Sequence, residues 1–191
     1  SLRRAVQIKR KNPNVKVIPI RGNVETRVRK CINGTFEALV LAEAGLRRLG
    51  LSTQIVQRFS YLDFIPAPGQ GAIGIVCRKD NKKIRTMLQM IEDKPTKYAI
   101  DAERSLIFQL NAGCRFPVGA IAVPNLRTKK IILHASVFSA DGSQSIRIKK
   151  SGAISNSSKV GMEMANDLLA MGAGDFAIEW RNALDKWNNQ K

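Results

Sequence analysis

Val15-Lys16-Val17-Ile18-Pro19-Ile20-Arg21-Gly22-Asn23-Val24-Glu25-Thr26-Arg27 passes from an apolar run through a glycine turn into a charged helical start. Residues 15–20 are expected to form a strand, and so are residues 37–42 (Glu-Ala-Leu-Val-Leu-Ala). The second run is nearly continuous in apolar residues, which suits a sheet buried on both faces. Helices are expected over residues 25–31, ending near Asn33-Gly34, and over residues 42–49, ending at Gly50. Strand, helix, strand, helix implies parallel pairing, hence an α/β fold with an open doubly wound sheet. Such sheets bind ligands at the carboxyl ends of their strands. Arg21 lies just past the first strand and Ala44-Gly45 just past the second.

Further along, Pro66-Ala67-Pro68-Gly69-Gln70-Gly71 reads as a turn-rich crossing segment, followed by a strand over residues 72–77. Ile84, Met87, Leu88 and Ile91 keep the spacing of an amphipathic helix. A second domain is expected from about Lys94, where Pro95 suits the first turn of a helix reaching Leu110. Ile100, Leu106, Ile107 and Leu110 form its apolar face. Strands are expected near 118–123, 130–138 and 144–149, the last two joined as a hairpin across Asp141-Gly142. Val160, Met164, Leu168 and Met171 make one helical stripe, stopped by Gly172. The result is a small α+β domain with a three-stranded antiparallel sheet. The boundaries expected are residues 1–65 for part of an α/β domain, 66–93 for the crossing segment and 94–191 for the carboxyl-terminal α+β domain, which carries Cys114.

The 191 residues, 44% hydrophobic and 25% charged, have the composition of an ordinary globular protein. No apolar run approaches the length of a membrane span, so no membrane partner is expected. Three widely spaced cysteines (Cys31, Cys77, Cys114) offer neither a CxxC pair nor an even set, which argues against a disulfide framework or a metal site. A reducing compartment fits them. The single histidine, His134, sits in an apolar strand and reads as structural. Charge is the outlier. Thirty-two Lys and Arg stand against 15 Asp and Glu, a net +17, and residues 1–60 hold 13 basic side chains with only 3 acidic ones. A field of that sign attracts polyanions, whether nucleic acid or a polycarboxylate.

Two constellations could carry chemistry. Asn111-Ala112-Gly113-Cys114-Arg115-Phe116-Pro117 presents one thiol in a small-residue loop beside an arginine, and a neighbouring cation favours the nucleophilic thiolate. The plainer reading of an isolated cysteine is a buried small hydrophobe. Ser1-Leu2-Arg3-Arg4 and Ile20-Arg21-Gly22-Asn23-Val24-Glu25-Thr26-Arg27 together look like an anion cradle. Guanidinium forks bind carboxylates bidentately, and a helix N-terminus adds its dipole. Phosphate, nucleic acid and carboxylates would all satisfy it.

Six motifs then occur in order: Ser-Leu-Arg-Arg, Arg-Gly-Asn-Val-x-Thr-Arg, Leu-Ala-x-Ala-Gly-Leu-x-Arg-Leu-Gly, Pro-Ala-Pro-Gly-Gln-Gly-Ala, Ala-Glu-Arg (102–104) and Gly-Cys-x-x-Pro-Val-Gly. With this order and spacing the chain resembles the hydroxymethylbilane synthase (porphobilinogen deaminase) family from Ser1 to about Trp180. The resemblance implies that residues 1–65 are part of the family's second, central α/β domain, like the periplasmic binding proteins and incomplete here, and that residues 66–93 return to its first domain. It implies a transferase that adds four porphobilinogen units, with loss of ammonia, to a dipyrromethane cofactor and releases a linear tetrapyrrole by hydrolysis. Cys114 takes the position of the thioether attachment. Cofactor binding falls on Ser1, Arg3, Arg4, Arg21, Arg27, Ala42 and Gly45, the last two through backbone, and substrate binding on Arg21, Arg27 and Arg48. Partners implied are porphobilinogen, the growing polypyrrole and the family's first domain. The complete enzyme is expected to be a cytoplasmic monomer, organellar in a eukaryote.

The departures from the family pattern are Ala112 for a usual glycine and Val76 for a common glutamate. The family's proton-transferring aspartate and catalytic lysine belong to the portion preceding Ser1, so no catalytic residue is expected in this chain, which alone should be inactive. The alternative reading is a truncated, non-catalytic relative that binds RNA or a ribonucleoprotein through its basic surface. Two tryptophans and two tyrosines offer that reading few stacking platforms.

Overall fold

A computed structural model describes residues 1–110 and 117–189. Three helices occupy the first part: α1 (Leu2–Lys11), α2 (Val24–Ile32) and α3 (Glu43–Arg48), with a 3-10 turn at Ser52–Gln54. Then come α4 (Lys82–Met90) and α5 (Lys94–Gln109), the strands β1 (Val118–Asn125), β2 (Lys130–Phe138) and β3 (Ser145–Ala153), and finally α6 (Ser157–Ala170) and α7 (Ala173–Asn188). Side-chain caps start three of the helices. Asn23 accepts from the Thr26 N–H, Asn81 from Ile84 and Asp93 from Thr96, each satisfying an N–H that the helix leaves open.

The sheet runs β1-β2-β3, antiparallel throughout, pairing Val118 with Val137 and Phe138 with Ser145. The β2–β3 hairpin turns at Gly142, whose φ of +81° suits a residue without Cβ. One sheet face (Ala120, Ala122, Leu133, Ala135, Val137) packs on Leu106 of α5 and on Val160, Met164 and Leu168 of α6. The other carries a second cluster in which Phe138 meets Leu2, Ala5 and Val6 of α1, Trp180 of α7 and Ile65. The start of α1 is therefore fastened to the sheet.

Several expectations need correction. Residues 15–20, 37–42 and 72–77 are not strands, so no open doubly wound sheet exists among the described residues. A strand is defined by its ladder, and these apolar runs carry no neighbouring ladder there; Ile73 and Val76 are 88% and 95% exposed. The amphipathic stripe of α4 forms as a helix, yet Ile84, Met87 and Ile91 face solvent. Residues 2–11 are helical, which the basic pattern did not suggest. Met171 lies past the end of α6 and is exposed, so the buried stripe ends at Leu168.

Candidate functional site

Ser1, Arg3 and Arg4 open α1, whose buried face (Leu2, Ala5, Val6) fixes their direction. The Arg4 guanidinium donates to the Val40 carbonyl at 2.9 Å and to Gln70 Oε1 at 3.3 Å. Arg3 donates to the Ile65 carbonyl at 3.4 Å. Arg27 bends back from α2 to the Gly22 carbonyl at 2.7 Å. Gly22 takes a φ of +117°, a turn between Arg21 and the Asn23 cap from which α2 starts at Val24.

The electrostatics show how close these groups lie. Burial, and then the Arg4 charge, lower the Arg3 guanidinium to about 10. Arg4 is lowered by burial and then by Arg27. Cations crowded and desolvated in this way repel one another, and a bound anion would relieve them. Glu43, the acid on α3, is engaged elsewhere: it accepts from Arg47 at 2.8 Å and Arg58 at 2.9 Å, which hold its carboxyl low.

Arg21 joins Ser1, Leu2, Ile20 and Trp187 around a cavity of about 160 Å3. Ala42 caps α3, and its carbonyl accepts from the Gly45 N–H at 3.1 Å. A Cβ on Gly45 would sit 3.3 Å from Val24 Cγ2, so α3 rests on the first turn of α2. Arg48 ends α3 and is exposed. Of the expected residues, the structure brings Arg3, Arg4 and Arg27 within reach of one another's charge, with Ser1 and Arg21 on the adjoining cavity.

Cys114 lies outside the described residues. The described positions on either side of residues 111–116 are firmly packed: Leu110 and Pro117 are buried, and the Pro117 carbonyl accepts from the Phe138 N–H at 3.1 Å.

Three supporting residues were given no role by the sequence reading, although Gln70 and Glu103 lie within its motifs. Gln7, buried on α1, exchanges two hydrogen bonds with the Ile65 peptide. Gln70 receives Arg4. Glu103 on α5 accepts the Gly69 and Ala122 N–H groups. Glu103 left a visible signal, being a lone acid one turn from Ile100 and Ile107 on an apolar helix face. Gln7 left none.

Residues 1–86 match the family model "Porphobilinogen deaminase, dipyromethane cofactor binding domain", and residues 97–170 match "Porphobilinogen deaminase, C-terminal domain". The chain is 44% identical over 188 residues to a probable porphobilinogen deaminase of Nitrosopumilus maritimus, covering 98% of this chain and 60% of the relative. It is 44% identical over 181 residues to the porphobilinogen deaminase of Desulforudis audaxviator, covering 95% and 58%. For the enzyme of Syntrophobacter fumaroxidans the identity is 40% over 173 residues, covering 91% and 55%. The chain thus spans up to about 60% of the length of these relatives. Two family models matched in succession, and relatives of one description across nearly its whole length, place this chain in the porphobilinogen deaminase family.

Proposed function

We propose that this chain is the anion-binding and cofactor-anchoring part of a hydroxymethylbilane synthase. That enzyme condenses four porphobilinogen units with loss of ammonia and releases a linear tetrapyrrole by hydrolysis. The observation carrying this reading is the pair of desolvated, crowded guanidinium groups of Arg3 and Arg4, with the charge of Arg27 acting on Arg4. Each pyrrole of the product bears two carboxylates, so a site for it must hold many negative charges in a small volume.

The residues present fit a dipyrromethane group: guanidinium forks bind carboxylates, and those of Arg3 and Arg4 are oriented by the Ile65, Val40 and Gln70 oxygens. Cys114 would hold the group as a thioether. When bound, it supplies the free pyrrole end to which units are added. Arg3 and Arg4 bind its carboxylates, with the Ser1 hydroxyl and the Ala42 and Gly45 backbone beside them. Arg21, Arg27 and Arg48 take those of the incoming unit. The acid–base group for ammonia loss is expected from the part of the family's chain outside this sequence. Exposed Ile73, Val76, Met90 and Ile91 supply an apolar face for that part to cover. The domain division at residues 65 and 94 belongs to the same proposal, as do the cytoplasmic site of action and the monomeric state.

Intact-mass measurement on the complete enzyme tests this reading. Two linked pyrroles are expected on Cys114, and Cys114→Ser should yield no holoenzyme. A plain thiol at Cys114 in an active enzyme overturns the proposal.

A further inference from the structure

Glu103 is 5% exposed on the core face of α5, next to Ala102 and one turn from Leu106, both fully buried. An isolated carboxylate in such a place is costly, and an apolar residue would pack there without that cost. The structure gives this one two partners. Oε2 accepts the Gly69 N–H at 2.6 Å and Oε1 accepts the Ala122 N–H at 2.8 Å. Burial pushes the carboxyl above its ordinary range, and the two N–H groups pull the other way.

These partners lie on different elements. Ala122 belongs to β1, whereas Gly69 belongs to the turn over residues 68–71, where Gly69 and Gly71 take φ values of +74° and +90°. Gln70 stands between those glycines, and its Oε1 receives Arg4. Glu103 itself is seven residues before Leu110, two turns or about 10 Å along α5. One carboxylate thus joins the turn that supports Arg4 to α5 and β1, the two elements connected through Cys114.

We infer that Glu103 is a positioning residue: through Gly69 and Gln70 it holds Arg4 in register with α5 and β1. The inference rests on the proposed role of Arg4. Glutamine at 103 would offer one acceptor oxygen and turn an NH2 group on the other N–H, releasing the turn while preserving shape. Gln70→Ala would remove the final link from the solvent side.

The test is a double-mutant cycle on the complete enzyme with Glu103→Gln, Gln70→Ala and the pair. Porphobilinogen KM, kcat and melting temperature are measured together. Each single change is expected to raise KM about ten-fold, the effect of one charge-assisted hydrogen bond. The pair should be little worse than Glu103→Gln alone, because both act through one chain of contacts. A purely structural role for Glu103 would lower the melting temperature and leave KM effects that multiply fully, and that result overturns the inference. So does an unchanged KM in Glu103→Gln. Should Glu103→Gln fail to accumulate, Glu103→Asp, which keeps the charge but shortens the reach by one methylene, replaces it in the same cycle under the same criteria. Intact mass of the wild type separates the two levels: an active enzyme with bare Cys114 defeats the underlying function, whereas a loaded Cys114 with fully multiplying effects defeats the positioning role alone.

Discussion

The Gln7 amide and the Ile65 peptide close a two-bond pair: the Ile65 N–H donates to Oε1 at 2.8 Å, and Nε2 donates to the Ile65 carbonyl at 3.1 Å. Both residues are buried. Gln7→Leu would fill the space but leave the Ile65 N–H unsatisfied, while Arg3 could still serve the carbonyl. The expected loss is about 1–3 kcal/mol, read as a lower urea midpoint at unchanged slope.

Gly161 on α6 is where that helix comes closest to α5. A Cβ there would strike the Ala102 carbonyl oxygen and lie 2.9 Å from the Leu106 nitrogen. Backbone cannot step aside as a side chain can, so Gly161→Ala is expected to cost about 1–3 kcal/mol or more. Gly174→Ala is the matched control: its Cβ would meet nothing within 4 Å, so thermal unfolding should show a neutral or slightly raised midpoint.

The cradle should respond to polyanions. The Arg3 guanidinium is held at about 10, below its ordinary range. A base lowered in the folded state opposes folding while charged, and that opposition fades only as pH rises through about 10. At neutral pH the relief must come from an anion. A linear polycarboxylate is expected to raise the melting temperature, more at low salt than at high salt. Arg3→Gln should shrink that rise. No rise in the wild type would remove the anion-binding reading.

Two acids should give pH slopes of opposite sign. Asp141 accepts from Ser139 Oγ at 2.6 Å and from the Ser143 N–H and Oγ at 3.0 and 2.9 Å, which depress its carboxyl to about 2. Its contribution is present above the ordinary value of 3.8 and is lost as pH falls towards 2. Because the group is exposed, Asp141→Asn should cost less than about 1 kcal/mol at neutral pH while removing that acid limb. Glu103 is raised by burial, so its contribution weakens as pH climbs from its ordinary 4.5 through the raised value. Acid titration of stability in each single variant would separate the two.

The second half of the chain was legible because its signals are local. Pro95 after an aspartate cap, the Asp141-Gly142 turn and the Val160-Met164-Leu168 stripe each select a conformation without distant help. The runs over residues 15–20, 37–42 and 72–77 misled because apolar β-rich composition reports a preference for pairing, and pairing needs a neighbour in the right place. The arginines of the site were legible as motif members, and in the structure the charge of Arg4 acts on Arg3 and that of Arg27 on Arg4. Their supports were not legible. Val40 and Ile65 act through carbonyls, which every residue possesses, and Gln7 acts through an amide that looks like any polar helix residue.

The extended run over residues 72–77 has a practical consequence for handling the protein. Ile73, Ile75 and Val76 stand exposed on a backbone that carries no ladder among the described residues. Such a run is a template for strands of other molecules. The net charge of +17 opposes that association at low ionic strength, so adding salt removes the protection. Concentrated, salty stocks of this chain alone should turn turbid, and a lysine gatekeeper, Val76→Lys, should keep them clear.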